Sequence, residues 1–328
     1  MKRVVMTGPM TSVVDEIPDP RPDDDQMLIR TRYVGVCMSE HYDWLHAKPG
    51  MAFGHEPVGV VAEVGKNVTG FTAGDRVGGA WGGSLPGSGG MVEYNLADPK
   101  KDIVIKIPDN IRDEDAILEP LACMMSAVSK VRCPMPGTEV CVVGAGYMGC
   151  GLISLLKLRG ARVTAVDIRP ESLANARKYG ADEAYSAEEA REKWLKNPTP
   201  YGGFDVVMEW GETDESLDLA VNLTNECGQL CVGAYHTGPK RLVDMQQLGV
   251  KAIELLNTHP REWSLSDRGA RNAVKLLSSG EWKYTRLPVK IYPMNGFDLA
   301  HAEMKDKYGK YMKALIDMTQ ADGEPRII

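Results

Sequence analysis

Gly54-His55-Glu56-Pro57-Val58-Gly59-Val60-Val61-Ala62-Glu63-Val64-Gly65-Lys66-Asn67-Val68 sets a metal-type pair at the mouth of a β-rich run. Neighbouring residues on a regular strand point to opposite faces. His55 and Glu56 can therefore meet one point only at an irregular strand entry, and Gly54 permits one. A neutral imidazole and a carboxylate are both zinc ligands. Alone, the pair suits a surface loop equally well. The glycine spacing of Gly54, Gly59 and Gly65, with Val68 behind, makes the stretch specific.

A second stretch, Gly144-Ala145-Gly146-Tyr147-Met148-Gly149, sits between an apolar strand over 139–143 and a helix over 150–159. G-x-G-x-x-G in that context is a dinucleotide fingerprint. The glycines let the backbone turn and approach a pyrophosphate at the helix N-terminus. A strand over 162–166 ends at Asp167, 18 positions past Gly149. That is near the ~20 expected of an acid on the adenosine ribose. Asp167 favours NAD over NADP; Arg169 either softens that preference or faces solvent. Strand and helix patterns alternate onward: helix 171–179, strand 204–210, helix 214–223, strand 228–235 and an edge strand over 251–258. The alternation predicts a doubly wound parallel sheet. Cys227 and Cys231 read as core.

Upstream, a strand over 27–36 delivers Gly35-Val36-Cys37-Met38-Ser39-Glu40. Together with the zinc signature around His55, these motifs make the chain resemble the zinc-dependent medium-chain dehydrogenase/reductase family over nearly its whole length. The similarity is greatest to its sorbitol (polyol) and threonine dehydrogenase branch. The resemblance implies an α/β fold, a Rossmann sheet inserted into a GroES-like β-barrel catalytic domain. Residues 1–120 and 261–328 would form the catalytic domain and 121–260 the dinucleotide-binding domain.

The same resemblance implies a catalytic zinc on Cys37, His55 and Glu56. Three protein ligands and an open position are the pattern of such a site. In the polyol branch the Glu-Pro-Leu/Ala motif, here Glu119-Pro120-Leu121-Ala122 in a helix over 113–130, brings a carboxylate to the metal. Glu119 would act directly or through water. Relatives often hold a structural zinc on four close cysteines. No cysteine lies between Cys37 and Cys123, so one zinc per chain is expected. Trp81, in the glycine-rich segment 78–90, either faces the active-site cleft or anchors packing.

Composition bounds the partners. The chain has 328 residues, 43% hydrophobic and 25% charged, with net charge −7. These are globular values, and the acidic balance disfavours nucleic acid. No run approaches the ~18 apolar residues of a membrane span. Seven scattered cysteines and the lack of a signal-like start point to a reducing cytoplasm.

The implied activity is reversible oxidation of a secondary alcohol of a polyol, sugar or sugar acid to a ketone, with NAD. Ser39 is the expected first proton acceptor. Beyond it, Glu40, His41 and Tyr42 are all open as the next step. Oxidation of a 3-hydroxy amino acid such as threonine is the alternative, with Arg261 as a possible carboxylate partner. A zinc-free quinone or enone reductase and a non-catalytic relative fit less well, since all four candidate ligands are present. The edge strand over 251–258 suggests a homodimer or homotetramer.

Overall fold

The computed structural model describes residues 1–81, 89–132, 135–196, 202–259, 262–305 and 310–328. They form two compact units. The first comprises Met1–Ala122, Ser266–Glu281 and Thr285–Ile328; the second comprises Cys123–Leu265 and Trp282–Tyr284.

In chain order the first unit opens with an antiparallel pair, β1 (Lys2–Gly8) and β2 (Thr11–Glu16). β3 (Met27–Gly35), β4 (Pro57–Val64), β5 (Arg76–Ala80), β6 (Tyr94–Ala97) and β7 (Ile103–Lys106) follow. The second unit holds β8 (Glu139–Val143), β9 (Arg162–Asp167), β10 (Glu183–Ser186), β11 (Phe204–Glu209), β12 (Thr224–Val232) and β13 (Glu254–Asn257). The chain then adds β14 (Val289–Pro293), β15 (Lys313–Asp317) and β16 (Arg326–Ile327) to the first unit.

The first unit's large sheet runs β16-β14-β15-β3-β4-β5-β7, with β6 also on β3. β3 shows why: Met27, Ile29, Thr31 and Tyr33 are buried while Arg30 and Arg32 face out. That period-2 pattern suits a sheet with one packed face. Met27, Ile29, Val61, Val77, Ala97 and Val104 form the inner cluster. Trp81 belongs to it, 4% exposed. It is a packing anchor, and the reading of it as a cleft residue is set aside. Residues 82–88 of the glycine-rich segment lie outside the described residues.

The second unit's sheet is all parallel, in the order β10-β9-β8-β11-β12-β13. This is the doubly wound dinucleotide-binding order. Its strands are apolar runs because both faces are covered. Helix Tyr147–Leu158 turns Leu152, Ile153, Leu155 and Leu156 inward. Each such side chain stabilises the fold by roughly 1.5–3 kcal/mol.

Three expectations need correction. The helix expected over 113–130 is a 3-10 turn, Asp113–Asp115, and then an α-helix, Leu118–Lys130. Both aspartates are tied elsewhere, Asp113 to Arg76 and Asp115 to the Arg286 amide at 2.8 Å, which competes with a helical turn. The edge strand is only Glu254–Asn257, because helix Met245–Val250 and left-handed Ala252 (φ 49°) precede it. Cys231 is buried as expected, but Cys227 is exposed within β12 at a left-handed φ of 56° and is not core.

Candidate active site

Cys37, His55 and Glu56 converge in the first unit. One ligand atom from each lies within 4.8 Å of the others. Strand pairing produces this. Val34 on β3 pairs Pro57 on β4, and the Gly35 amide donates to the Glu56 carbonyl at 2.9 Å. Cys37 follows the end of β3, and His55-Glu56 precede the start of β4. Residues 51–56 are irregular and Gly54 has φ 103°. Strand alternation therefore does not apply, and two adjacent side chains share one point.

Glycine at 35 is a steric requirement. A Cβ there would stand 1.9 Å from Glu56 Oε2. The Gly35-x-Cys37 spacing thus makes room for the buried carboxylate as well as carrying the thiol.

His55 is oriented from behind. Its Nδ1 lies 2.7 Å from Glu40 Oε1, which also accepts from the Gly54 amide at 2.8 Å. A carboxylate on Nδ1 leaves Nε2 for a metal and raises its basicity. Burial disfavours the imidazolium, but Cys37 and Glu40 outweigh it and push the His55 pKa up to about 12.

Thiol, imidazole and carboxylate form a donor set suited to zinc. The surrounding charge supports a divalent ion. Lys313 Nζ donates to Glu56 Oε1 at 2.8 Å and stands 2.6 Å from Oε2. Burial works against this ammonium. Glu56, Cys37 and Glu119 together prevail and raise its pKa above the ordinary lysine value. With Cys37 ionised, those three anions and Lys313 carry two net negative charges, which a divalent cation offsets.

Glu119 stands half-buried in the first turn of helix Leu118–Lys130. It is not part of the tight triplet, though its charge reaches Lys313. Ser39 Oγ donates to Cys37 Sγ at 3.2 Å. Of the three residues after it, Glu40 is committed to His55. His41 is 9% exposed and packs against Trp44 and His301. Tyr42 is 37% exposed, with its ring 4.3 Å from His46. Tyr42 alone of the three reaches solvent.

In the second unit, Gly144 leaves β8 with φ 94°, and its amide donates to Val166 on β9 at 2.8 Å. A Cβ at Gly149 would lie 2.0 Å from the Gly144 carbonyl, so only glycine lets the helix start this close. Gly146 precedes helix Tyr147–Leu158. A helix N-terminus of this kind suits a pyrophosphate. Asp167 Oδ2 accepts from the Ala145 amide at 2.8 Å; Oδ1 accepts from Arg169 N and Nε at 2.9 and 3.2 Å. Arg169 thus folds back onto Asp167 while remaining 42% exposed. Arg261 lies outside the described residues.

Sequence reasoning missed Lys313 and the task of Glu40. A lysine inside the apolar run 311–318, all of it buried, was the available signal. A buried ammonium demands a carboxylate.

Residues 148–276 match the family model for zinc-binding dehydrogenases, and residues 23–109 match that for the alcohol dehydrogenase GroES-like domain. D-arabinitol dehydrogenase 1 of Uromyces fabae is 32% identical, over 88% of this chain and 89% of its own length. The chain belongs to the zinc-binding dehydrogenase family. A sorbitol dehydrogenase of Halalkalibacterium halodurans, another relative, is 26% identical over 96% of this chain and 99% of its own. Among solved structures, an Escherichia coli CFT073 alcohol dehydrogenase complexed with cofactor NADH superposes with a TM-score of 0.80 at 20% identity. It covers 97% of this chain and 99% of its own. As a member of this family the chain is an oxidoreductase.

Proposed function

We propose that the chain oxidises a secondary alcohol of a polyol or sugar to a ketone, with one zinc and NAD. The observation that carries the reading is the convergence of Cys37, His55 and Glu56, with Glu40 orienting His55. When bound, zinc supplies Lewis acidity toward the substrate hydroxyl and NAD supplies the hydride acceptor. Cys37, His55 and Glu56 would hold the metal, and Glu119 would reach it through water or directly. Ser39 would take the hydroxyl proton, and Tyr42, exposed where Glu40 and His41 are buried, would pass it outward. Gly144, Gly146 and Gly149, with the amides of Tyr147 and Met148, would cradle the pyrophosphate. Asp167 would accept from the adenosine ribose. Arg169, resting on Asp167, would tune the choice between NAD and NADP. Relatives described as arabinitol and sorbitol dehydrogenases favour polyols over 3-hydroxy amino acids.

The protein would work as a homo-oligomer through the free edge at β13. Leu255 on that strand is 50% exposed, and Leu242, Met245 and Val250 just before it are 85%, 70% and 73% exposed. Exposed apolar side chains near a strand at the edge of a sheet suit an interface. Among the described residues no helix is long and apolar enough to cross a membrane, and a cytoplasmic setting fits the free thiols.

The test is zinc content with a substrate panel. About one zinc per chain, and NADH formed from a pentitol or hexitol in preference to threonine, supports the reading. Cys37→Ser should lose both metal and turnover while the nucleotide unit still binds NADH. A metal-free protein, or full turnover in Cys37→Ser, defeats it.

A further inference from the structure

The strand that leads to Cys37 carries a different feature on its outer face. Arg30 and Arg32 project from β3, and with Asp317, Thr319, Gln320 and Arg326 they border an open cavity of about 450 Å³. That volume lies within the ~300–1,000 Å³ of small-molecule pockets. All these residues belong to the first unit.

The cavity is rich in donors and short of acceptors. Each guanidinium offers several N–H groups and no acceptor. Asp317, the one carboxylate in the wall, is already used. Its Oδ1 accepts from Thr319 N at 3.0 Å and Thr319 Oγ1 at 2.6 Å; its Oδ2 accepts from Arg326 at 3.3 Å. Arg32 stands 3.0 Å from Asp113, a carboxylate that Arg76 also holds, and it also feels Glu114. Among the described residues Arg30 has no carboxylate within ion-pair distance. On a chain of net charge −7, composition alone does not gather three guanidiniums in one concavity.

The backbone beneath the wall is held before any ligand arrives. Tyr33 pairs Asp317 across β3 and β15, and Arg30 pairs Val60 across β3 and β4. The Gln320 amide donates to the Asp317 carbonyl at 3.2 Å, and the Gln320 carbonyl accepts from the Met294 amide at 2.9 Å. The turn bearing Thr319 and Gln320 is therefore held by backbone bonds. A donor-lined concavity on a held backbone suits a compact acceptor, and guanidinium matches the planar edge of an oxyanion.

We propose that this cavity binds the oxyanion group of a small metabolite, a phosphoryl or a carboxylate, with Arg30 and Arg326 as its direct partners. Arg30 is the principal one, because Arg326 shares its charge with Asp317. The site is separate from the metal-ligand set and does not depend on zinc.

Inorganic phosphate and succinate, titrated separately at constant ionic strength, test this by calorimetry on the full chain. The expected result is one saturable site that Arg30→Gln weakens roughly tenfold or more, as for loss of a charged hydrogen bond. Arg326→Gln should weaken it as well. Arg30→Gln breaks no ion pair, so its fold should match the parent by unfolding midpoint. Binding of phosphate alone identifies a phosphoryl ligand, and binding of succinate alone a carboxylate; both bound supports an unselective oxyanion site. Phosphate held by the loop at Gly144–Gly149 would not respond to Arg30. The proposal is overturned by no saturable binding of either anion, or by binding that both substitutions leave unchanged.

Discussion

Replacing Lys313 by methionine separates the two demands made on Glu56. Lys313 is 6% exposed and Glu56 1% exposed, and the ammonium touches both carboxylate oxygens. Removing one partner of a buried pair costs about 3–5 kcal/mol, because the other charge is left uncompensated. The chelator-stripped Lys313→Met protein should therefore unfold at a clearly lower urea concentration. Zinc should restore part of that loss, since a divalent ion would now compensate Glu56. The Coulomb repulsion between an ammonium and a divalent ion about 5 Å apart, with an effective dielectric of 20, is roughly 7 kcal/mol. Relaxation and solvent screening remove most of that, and a remainder of about 1.4 kcal/mol is already tenfold in affinity. Zinc should thus bind Lys313→Met at least tenfold more tightly than the parent, read by competition with a chromophoric chelator. Lys313→Arg keeps the charge and should keep parent-like affinity. Equal or weaker zinc binding by Lys313→Met would show that Lys313 does not oppose the metal, and the charge argument for the site would fall.

Three further outcomes are expected. Asp167→Ser removes the carboxylate that holds Arg169 Nε at 3.2 Å and frees the guanidinium for a 2′-phosphate, so the NADP-to-NAD ratio of kcat/KM should rise roughly tenfold; a parent that already prefers NADP contradicts the assignment. His301 is fully buried, with both ring nitrogens unpartnered among the described residues, and burial first, then His41, depress its pKa to about 3. The folded pKa lies below the unfolded value, so stability is whole above about pH 6.5 and declines as pH falls toward 3. The loss is roughly 2 kcal/mol by pH 5, and His301→Leu should flatten that part of the pH–stability curve. Leu255→Lys places a charge on the exposed edge of β13 and should give monomers in sedimentation; an unchanged assembly would move the interface elsewhere.

The parts legible in the sequence are those whose physics is local. The glycines of 144–149 act within one turn, so their spacing identifies the loop without any distant partner. Gly54-His55-Glu56 is local too, and the irregular entry that lets both side chains meet is encoded by the glycine before them. Lys313 was not legible because its meaning depends on Glu56, 257 positions away. β10 escaped notice because four residues with one buried alanine carry no periodic signal. The helix start at 118 was misplaced since Asp113 and Asp115 look like helix-opening acids until Arg76 and the Arg286 amide claim them.

The turn after β3 shows how much a three-residue spacing can determine. Met38–Glu40 is a 3-10 turn entered from extended Cys37, with the Glu40 amide donating to the Cys37 carbonyl at 3.2 Å. Three residues per turn bring positions i and i+3 onto one side, so Cys37 and Glu40 both address His55. The sulfur lies within 4.8 Å of a ring nitrogen and the carboxylate holds Nδ1 at 2.7 Å. Between them, Ser39 sets its hydroxyl against the sulfur. One short turn thus supplies a candidate ligand, the group that orients a second ligand and the candidate proton acceptor. A fully α-helical turn would carry Glu40 about 60° further round from Cys37, because three steps of an α-helix cover about 300° rather than a full circle. The tighter turn is what allows an acid three residues after the cysteine to serve the histidine, and it explains why Glu40 is withdrawn from the onward proton path.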